Sequence, residues 1–364
     1  MTDEERQQRI TAMRDSQRIL SGARPTTMAE QLAALAARTD LDRTPDYYGT
    51  GPVRDLEDHV ADLLGTEAAV FFPTGTMAQQ VALRYGAELL GNPTVALHPL
   101  GHQEVHERHA FSALTGLRAI WPTTAARNPT AAEVTALDEP FGTLVLELPL
   151  RDAGFVLPTW DELTEVIAAA HACGARVHLD GARIWDCTPY LGHTENEIAA
   201  LADSVYVSYY KSIGALSGAT LAGTAELVAY ARAWRHRYGG NVFQQWPTVL
   251  AALTGLATQR PRLPGYVAHA HTVAAALAQL PGARVHPDPP HTHQFRMWLP
   301  HPAEQLNDAT MVLAAEDKVW FVGGWQDGEM PGTAYAEVTV AEPATEWSTE
   351  DIVAAGERFL RIVG

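Results

Sequence analysis

Two short apolar runs of the chain each end in a side chain that can do chemistry. Val177–Leu179 leads into Asp180, and Val205–Tyr210 leads into Lys211. Both runs are rich in β-branched or aromatic residues, which predicts two strands of a largely parallel sheet. In open α/β sheets the ligand crevice lies at the carboxyl ends of the strands. We therefore expect a carboxylate and an amine to face one crevice.

This pairing suits the chemistry of pyridoxal phosphate. The cofactor needs a lysine that forms a Schiff base with its aldehyde and an acid that keeps its ring nitrogen protonated. Lys211 and Asp180 fit these two roles. They also fit an exposed lysine at a strand end and an aspartate that caps the following turn. The two residues alone leave both interpretations open.

A turn between a predicted strand and a predicted helix offers a phosphate site. Ala68–Phe72 is a buried strand, and the small residues after it open a helix. Backbone N–H groups at a helix start attract anions. Gly75 permits close approach, and the Thr76 hydroxyl can add a hydrogen bond. Many strand-to-helix turns share this pattern, so the turn indicates a cofactor only together with other residues.

Residues 98–109 contain four histidines, which raises the question of a metal site. Clustered imidazoles do bind zinc. No cysteine lies nearby, however, and Glu104 and Glu107 fit a solvated helix face equally well. We therefore predict no metal site.

Composition limits the class of protein. The 364 residues suffice for one large and one smaller domain, and 46% apolar with 19% charged residues is typical of a globular chain. A net charge of −17 argues against nucleic acid or a membrane as partner. The charged N-terminus lacks the apolar core of a signal peptide. Cys173 and Cys187 flank the Asp180 strand, so we expect no disulfide and a cytoplasmic protein.

Hydrophobic periodicity outlines the elements that must position these residues. It predicts helices over 1–20, 27–38, 54–65 and 160–173, a closing helix from Glu350, and strands at 143–147, 295–298, 319–322 and 336–340. Thr27 and Glu30 have the spacing of a capping box. We expect an N-terminal arm over 1–45, a large domain over 46–250 and a small C-terminal domain over 251–364.

The segment 175–218 resembles the threonine aldolase / aromatic amino acid β-eliminating lyase family, which has the aspartate aminotransferase fold (fold type I). The family has Asp-Gly-Ala-Arg after a strand, as in Asp180–Arg183, and then a lysine before a glycine-rich turn, as in Lys211–Gly218. The resemblance extends over residues 21–350. It implies an α/β fold with a large domain around a mostly parallel seven-stranded sheet, and a small C-terminal α+β domain.

The resemblance also implies roles for individual residues. The turn with Thr74 matches the family's phosphate loop, and His102, five residues ahead of Glu107, matches an imidazole that stacks on the cofactor ring. The implied catalytic residues are Lys211, His102, Asp180 and Arg183. The implied cofactor-binding residues are Gly75, Thr76, Met77, His102, Glu147, Asp180, Arg183, Ser208 and Lys211.

The chain departs from the family on the substrate side. The loop after Glu147 lacks the family's histidine, and Arg151 or Asp152 is a candidate to act in its place. The strand Ala336–Val340 lacks the arginine that grips the substrate's α-carboxylate. We therefore name Tyr48, Arg24 and Arg151 as candidate substrate residues.

The resemblance implies a pyridoxal phosphate-dependent lyase of the threonine aldolase type. It would cleave a β-hydroxy-α-amino acid other than plain threonine to glycine and an aldehyde, with His102 acting through water as the base. Two alternatives stay open. One is another reaction of the same cofactor, namely β-elimination, transamination or condensation. The other is a protein that binds the cofactor without turnover. The family also implies a dimer or tetramer with shared active sites.

Overall fold

The structure is a computed structural model that describes residues 2–38 and 40–364. The chain forms two compact units, Leu35–Arg262 and the segment ending at Ala34 together with Leu263–Gly364. The domain limits predicted from the sequence, at residues 45 and 250, remain a prediction. Within the described residues, no helix combines the length and the apolar character needed to cross a membrane.

The strands form two sheets and one short pair. In chain order they are β1 (Arg18–Ile19), β2 (Ala68–Phe72), β3 (Thr94–Ala96), β4 (Arg118–Ile120), β5 (Thr143–Glu147), β6 (Arg176–Asp180), β7 (Ser204–Ser208), β8 (Ala219–Gly223), β9 (Arg284–His286), β10 (Gln294–Leu299), β11 (Val319–Trp320), β12 (Gln326–Asp327) and β13 (Ala334–Thr339).

The larger unit contains a seven-stranded sheet of order β2-β8-β7-β6-β5-β3-β4. β8 is antiparallel to both neighbours, and the other pairs are parallel. The other unit contains a four-stranded antiparallel sheet of order β12-β13-β10-β9 and the parallel pair β1-β11. The predicted fold class is therefore confirmed.

Helices cover both units. They are α1 (Asp3–Asp15), α2 (Met28–Ala36), α3 (Pro52–Leu64), α4 (Gly75–Leu90), α5 (His102–Val105), α6 (Ala110–Thr115), α7 (Ala131–Thr135), α8 (Trp160–Ala172), α9 (Thr188–Leu191), α10 (Glu195–Ala199), α11 (Ala225–Arg237), α12 (Trp246–Thr258), α13 (Leu263–Leu277), α14 (Ala303–Glu316) and α15 (Thr349–Val363). The capping box before α2 is confirmed, because Thr27 N donates to Glu30 Oε2 at 2.6 Å and Glu30 N donates to Thr27 Oγ1 at 3.2 Å.

Several predicted elements are shorter in the structure, among them the helix predicted over 27–38, which spans Met28–Ala36, and the strand predicted over 319–322, which spans Val319–Trp320. The first helix ends at Asp15, because Arg18–Ile19 instead pairs with Val319–Trp320. The strand predicted to run to Tyr210 ends at Ser208. Beyond it, the Tyr209 N–H donates to the Gly218 carbonyl at 3.2 Å, which turns the chain into a loop. Lys211 therefore lies in the loop after β7 rather than at the strand end.

Candidate active site

Three parallel strands deliver the predicted chemical groups to one edge of the sheet. Glu147 ends β5 and Asp180 ends β6, and the two residues are direct partners in the strand register. Lys211 follows β7, the next strand. The carboxyl ends of parallel neighbours meet at the same edge. The two predicted key residues, Asp180 and Lys211, are therefore brought together.

Asp180 is a buried carboxylate with two N–H donors. Its side chain is 1% exposed. The Gln103 amide donates to Oδ2 at 2.9 Å, and the Ala182 backbone N–H donates to Oδ1 at 3.2 Å. These hydrogen bonds hold both carboxylate oxygens in a fixed orientation.

Lys211 lies among charges that influence its amine in opposite directions. Burial and the nearby Arg183 guanidinium lower the pKa of Lys211, while Asp180 and Glu147 oppose that shift. A lysine with a lowered pKa carries a larger fraction of neutral amine, which is the nucleophilic form. The position favours attack of Nζ on a carbonyl group.

Glu147 anchors the backbone around the site. Its Oε2 accepts the His102 backbone N–H at 2.9 Å, and its Oε1 accepts that of Arg151 at 3.3 Å. Burial, and then the charge of Asp180, raise the pKa of Glu147 to about 8. Glu147 therefore joins α5 to the loop that follows its own strand.

His102 supplies a neutral aromatic ring. Burial lowers the pKa of His102 to about 4, against the opposing effect of Asp180. Lys211 and Arg183 also act to lower it. A neutral imidazole in this place suits stacking against a planar ring better than it suits carrying charge.

Arg183 and Ser208 lie in the segments that surround Asp180 and Lys211. The Arg183 guanidinium carbon lies 5.4 Å from the centre of the Phe155 ring. The Ser208 hydroxyl donates to the Ala182 carbonyl at 2.9 Å and is fully buried. It thus joins the end of β7 to the loop after β6. Its predicted contact with a cofactor remains a prediction.

The predicted phosphate turn has little spare room. Gly75 opens α4, and a Cβ added there would lie 2.1 Å from the Tyr206 hydroxyl oxygen. The Thr74 hydroxyl caps the helix by accepting the Met77 N–H at 3.3 Å. The first N–H groups of a helix have no intrahelical acceptor. The turn therefore combines backbone N–H groups that can bind an anion with a position, Gly75, that only glycine can occupy.

A buried ion pair holds the strand that enters this turn. Glu57 accepts the Phe71 backbone N–H at 2.9 Å and an Nη2 donor of Arg232 at 2.7 Å. Arg235 Nη1 lies 3.2 Å from Glu57 and donates to the Phe71 carbonyl at 2.8 Å. Both backbone polar groups of Phe71 are therefore bound by charged side chains.

The candidate substrate residues lie in different places. Arg151 is at the site, where its Nη1 lies 3.5 Å from His106 Nε2. Tyr48 is 56% exposed, has a positive φ of 51°, and packs its ring 5.4 Å from that of Phe243. Arg24 belongs to the other unit and donates to the Arg14, Ser16 and Gln17 carbonyls. The roles of all three remain predictions.

The histidines of residues 98–109 have separate surroundings. His98 Nε2 lies 2.7 Å from the Ala125 carbonyl, and His106 Nε2 lies 2.6 Å from Asp152 Oδ2. His109 is exposed, with Glu104 4.0 Å away. Among residues 2–38 and 40–364, no three His, Cys, Asp or Glu side chains are grouped to hold a metal ion.

Sequence reasoning missed several groups of this site. Gln103 directly follows His102, but its bond to Asp180 depends on where α5 packs. Tyr206 is the register partner of Asp180 on β7, a position that the strand pattern alone could have suggested. The His106–Asp152 contact joins two segments far apart in the chain and has no signal in either segment alone.

These groups fit pyridoxal phosphate. The amine, the ring-nitrogen acid and the phosphate turn are the contacts that the cofactor requires. In this structure Lys211 is a partly buried amine, Asp180 is an oriented carboxylate, and the Gly75 turn leaves no room for a side chain. Gln103 Oε1 and Glu107 Oε1 are buried without a hydrogen-bond partner. The edge therefore carries both the chemistry and the unsatisfied polar groups of a binding site.

Comparison with known proteins identifies the family. Residues 21–298 match the model of the β-eliminating lyase family. The chain belongs to this family. It is a pyridoxal phosphate-dependent, aldolase-like lyase, as the sequence predicted.

Three relatives illustrate the similarity. A structure from Exiguobacterium sp. 255-15, assigned as an aromatic amino acid beta-eliminating lyase/threonine aldolase, has a TM-score of 0.91 at 34% identity and covers 98% of this chain and 99% of its own. One from Listeria monocytogenes EGD-E, assigned as an L-allo-threonine aldolase, has a TM-score of 0.91 at 31% identity with the same coverage. Aldolase vrtJ of Penicillium aethiopicum is 31% identical over 70% of this chain and 66% of its own.

Proposed function

We propose that the chain cleaves the Cα–Cβ bond of a β-hydroxy-α-amino acid and releases glycine and an aldehyde. The observation that supports this most directly is that Lys211, in the loop after β7, interacts with Asp180 at the end of the adjacent strand β6, beside the neutral ring of His102. Relatives assigned as aldolases add to it. Bound pyridoxal phosphate supplies an electron sink for the bond that breaks.

The residues of the site divide the work of this reaction between them. Lys211 Nζ would hold the cofactor through its aldehyde carbon and would move a proton at the substrate's Cα. Asp180 would keep the proton on the ring nitrogen, with Gln103 holding the carboxylate in place. His102 would stack on the cofactor ring, and Arg183 would donate hydrogen bonds beside that ring. The residues of the Gly75 turn bind the phosphate through backbone N–H groups.

The substrate is proposed to differ from plain threonine. β13 carries no arginine, and Arg296 on the neighbouring strand lies 3.5 Å from Glu337. A guanidinium binds a carboxylate with two parallel hydrogen bonds. Without an arginine on this strand, a strong contact to the substrate's α-carboxylate is missing. We propose that Arg183 and Arg151 bind the α-carboxylate instead.

Two further properties, the oligomeric state and the cellular location, are proposed from fewer observations. Tyr47, Tyr48 and Phe243 form an exposed aromatic group, which supports a homo-oligomer, a dimer or tetramer whose active sites are shared between subunits. Both cysteines are free thiols, which fits a cytoplasmic location.

The test is a titration of the loaded protein with glycine, L-threonine, L-allo-threonine and L-phenylserine, with free aldehyde assayed alongside. A change of the visible spectrum with glycine and aldehyde from any hydroxy acid would support the proposal. Turnover without aldehyde would favour β-elimination, transamination or condensation, and no turnover would favour a binding protein. The control is Lys211→Ala, in which borohydride should no longer fix the cofactor to the protein.

A further inference from the structure

A histidine and an aspartate form a close pair beside the proposed active site. His106 follows α5, and Asp152 lies in a 3-10 turn, Arg151–Ala153. His106 Nε2 lies 2.6 Å from Asp152 Oδ2. Because an ionised carboxylate only accepts, Nε2 carries the hydrogen and Nδ1 keeps its lone pair. The carboxylate thus fixes the imidazole in one tautomer.

The pair is connected to the site through two contacts. The ring centres of His106 and His102 are 5.1 Å apart. The loop that carries Asp152 is bound to Glu147 through the Arg151 N–H, and the same carboxyl accepts the His102 N–H. The His106 side chain is 35% exposed and that of Asp152 is 18% exposed. His106 is therefore held at the edge of the site and is still reachable by a small molecule.

The proposed cleavage needs a group that takes the proton of the β-hydroxyl. Lys211 and Asp180 are assigned to the cofactor. Burial lowers the pKa of His102 to about 4, which makes it a weak base at neutral pH. Glu147 is buried and already accepts two backbone N–H groups. An imidazole that a carboxylate holds in one orientation is a common general base in enzymes, and His106 has that geometry with Asp152.

We propose that His106, oriented by Asp152, accepts the β-hydroxyl proton of the substrate, an inference that rests on the proposed function. The hydroxyl proton passes to Nδ1, and the electrons of the O–H bond form the carbonyl of the aldehyde. The Cα–Cβ bond breaks, and its electron pair stays on the Cα side, where a proton completes glycine. His106 then returns its proton to solvent. Asp152 acts as a positioning residue, with the Arg151 guanidinium and the His102 ring as the other groups facing the imidazole.

The experiment separates two reactions of the loaded enzyme. Cleavage is measured as aldehyde release, from whichever of L-threonine, L-allo-threonine and L-phenylserine reacts fastest. Exchange of the α-hydrogen of glycine with D2O is followed by NMR and needs no base at a β-hydroxyl. The variants are His106→Phe, which keeps a ring without nitrogen, and Asp152→Asn. The matched control is His109→Asn, at an exposed position whose φ of 58° suits asparagine.

In His106→Phe, kcat for cleavage should fall by about 10²–10⁴-fold, the usual contribution of a general base. Asp152→Asn should lower it roughly tenfold or more through loss of the correct tautomer. Glycine exchange should stay within about threefold of wild type in both variants, because the remaining general-base chemistry is untouched. His109→Asn should leave both reactions unchanged.

The failures are distinguishable. Cleavage by His106→Phe at near wild-type rate would overturn the inference and leave the proposed function standing. Loss of exchange together with cleavage would also overturn it, because His106 would then be supporting the site as a whole. If wild type exchanges glycine but cleaves none of the three hydroxy acids, the proposed function fails and the inference fails with it.

Discussion

Replacing Glu57 with glutamine should destabilise the apo-protein strongly. The carboxyl is 1% exposed and faces Arg235, whose side chain is 5% exposed. Glutamine keeps the shape and can still accept the Phe71 N–H, so the main loss is the negative charge. Burial lowers the pKa of Arg235, which shows that the site disfavours an unbalanced guanidinium. Stranding a buried charge costs about 3–5 kcal/mol of the free energy of unfolding.

The assay is urea unfolding of the apo-protein, with the free energy of unfolding compared between variants. The matched control is Glu357→Gln, which makes the same change in an exposed pair with Arg361 at 3.9 Å, where the side chains are 58% and 63% exposed. That change should cost no more than about 0.5 kcal/mol. Affinity for pyridoxal phosphate should also fall in Glu57→Gln, because Phe71 leads directly into the Gly75 turn.

A double variant separates the stranded charge from the lost contacts. Glu57→Gln with Arg235→Met also removes the buried guanidinium, and leaves Arg232, whose side chain is 25% exposed and can reach solvent. Replacing both partners of a buried pair is often close to neutral. The double variant should therefore be more stable than Glu57→Gln alone. The reasoning is refuted if Glu57→Gln costs no more than Glu357→Gln, or if the two changes at the buried pair simply add.

Two further predictions concern the site itself. Gly75→Ala should lower the free energy of unfolding by about 1–3 kcal/mol and weaken cofactor binding, since its Cβ would overlap the Tyr206 hydroxyl. The control Gly265→Ala, in α13 with open space around it, should leave the free energy of unfolding unchanged or raise it by roughly 0.5–1 kcal/mol. Urea unfolding and cofactor titration check both variants, and equal behaviour of the two would contradict the prediction. Glu147→Gln should flatten the pH dependence of apo-protein stability. The pKa of Glu147 is raised from 4.5 to about 8, so the folded state binds this proton more tightly than the unfolded state, and stability falls as pH rises through that range. Urea unfolding at several pH values in this range measures how the free energy of unfolding changes with pH. The same pH dependence in wild type and variant would argue against the shift.

The sequence predicts most of the sheet and the ends of its strands. Asp180 and the Gly75 turn follow runs whose period and composition are local properties, and the order of strand and helix fixes on which edge they lie. The run that continues to Tyr210 misled the prediction of a strand end. Tyr209 has the composition of a strand residue, but its N–H bonds to Gly218 across a loop, a pairing that no local pattern encodes.

The contacts that were not predictable all join distant segments. Gln103 lies 77 positions from Asp180, His106 lies 46 from Asp152, and Glu57 lies 178 from Arg235. Each such contact depends on how a helix packs on the sheet, and the residue types fit solvated helix faces equally well. Whether such a side chain is a solvated surface group or part of the site depends on its burial, and the fold as a whole determines that burial.

Burial also changes the pKa values of two carboxyls and one amine at the site. Glu107 and Glu147 are both buried, and burial followed by the charge of Asp180 raises their pKa values to about 7 and about 8. The same burial lowers the pKa of Lys211, and Arg183 lowers it further. Two N–H donors are aimed at Asp180. The site therefore places a lysine whose pKa is lowered next to a carboxylate that two N–H donors orient, and these are the groups needed to attack an aldehyde and to hold a proton on a ring nitrogen.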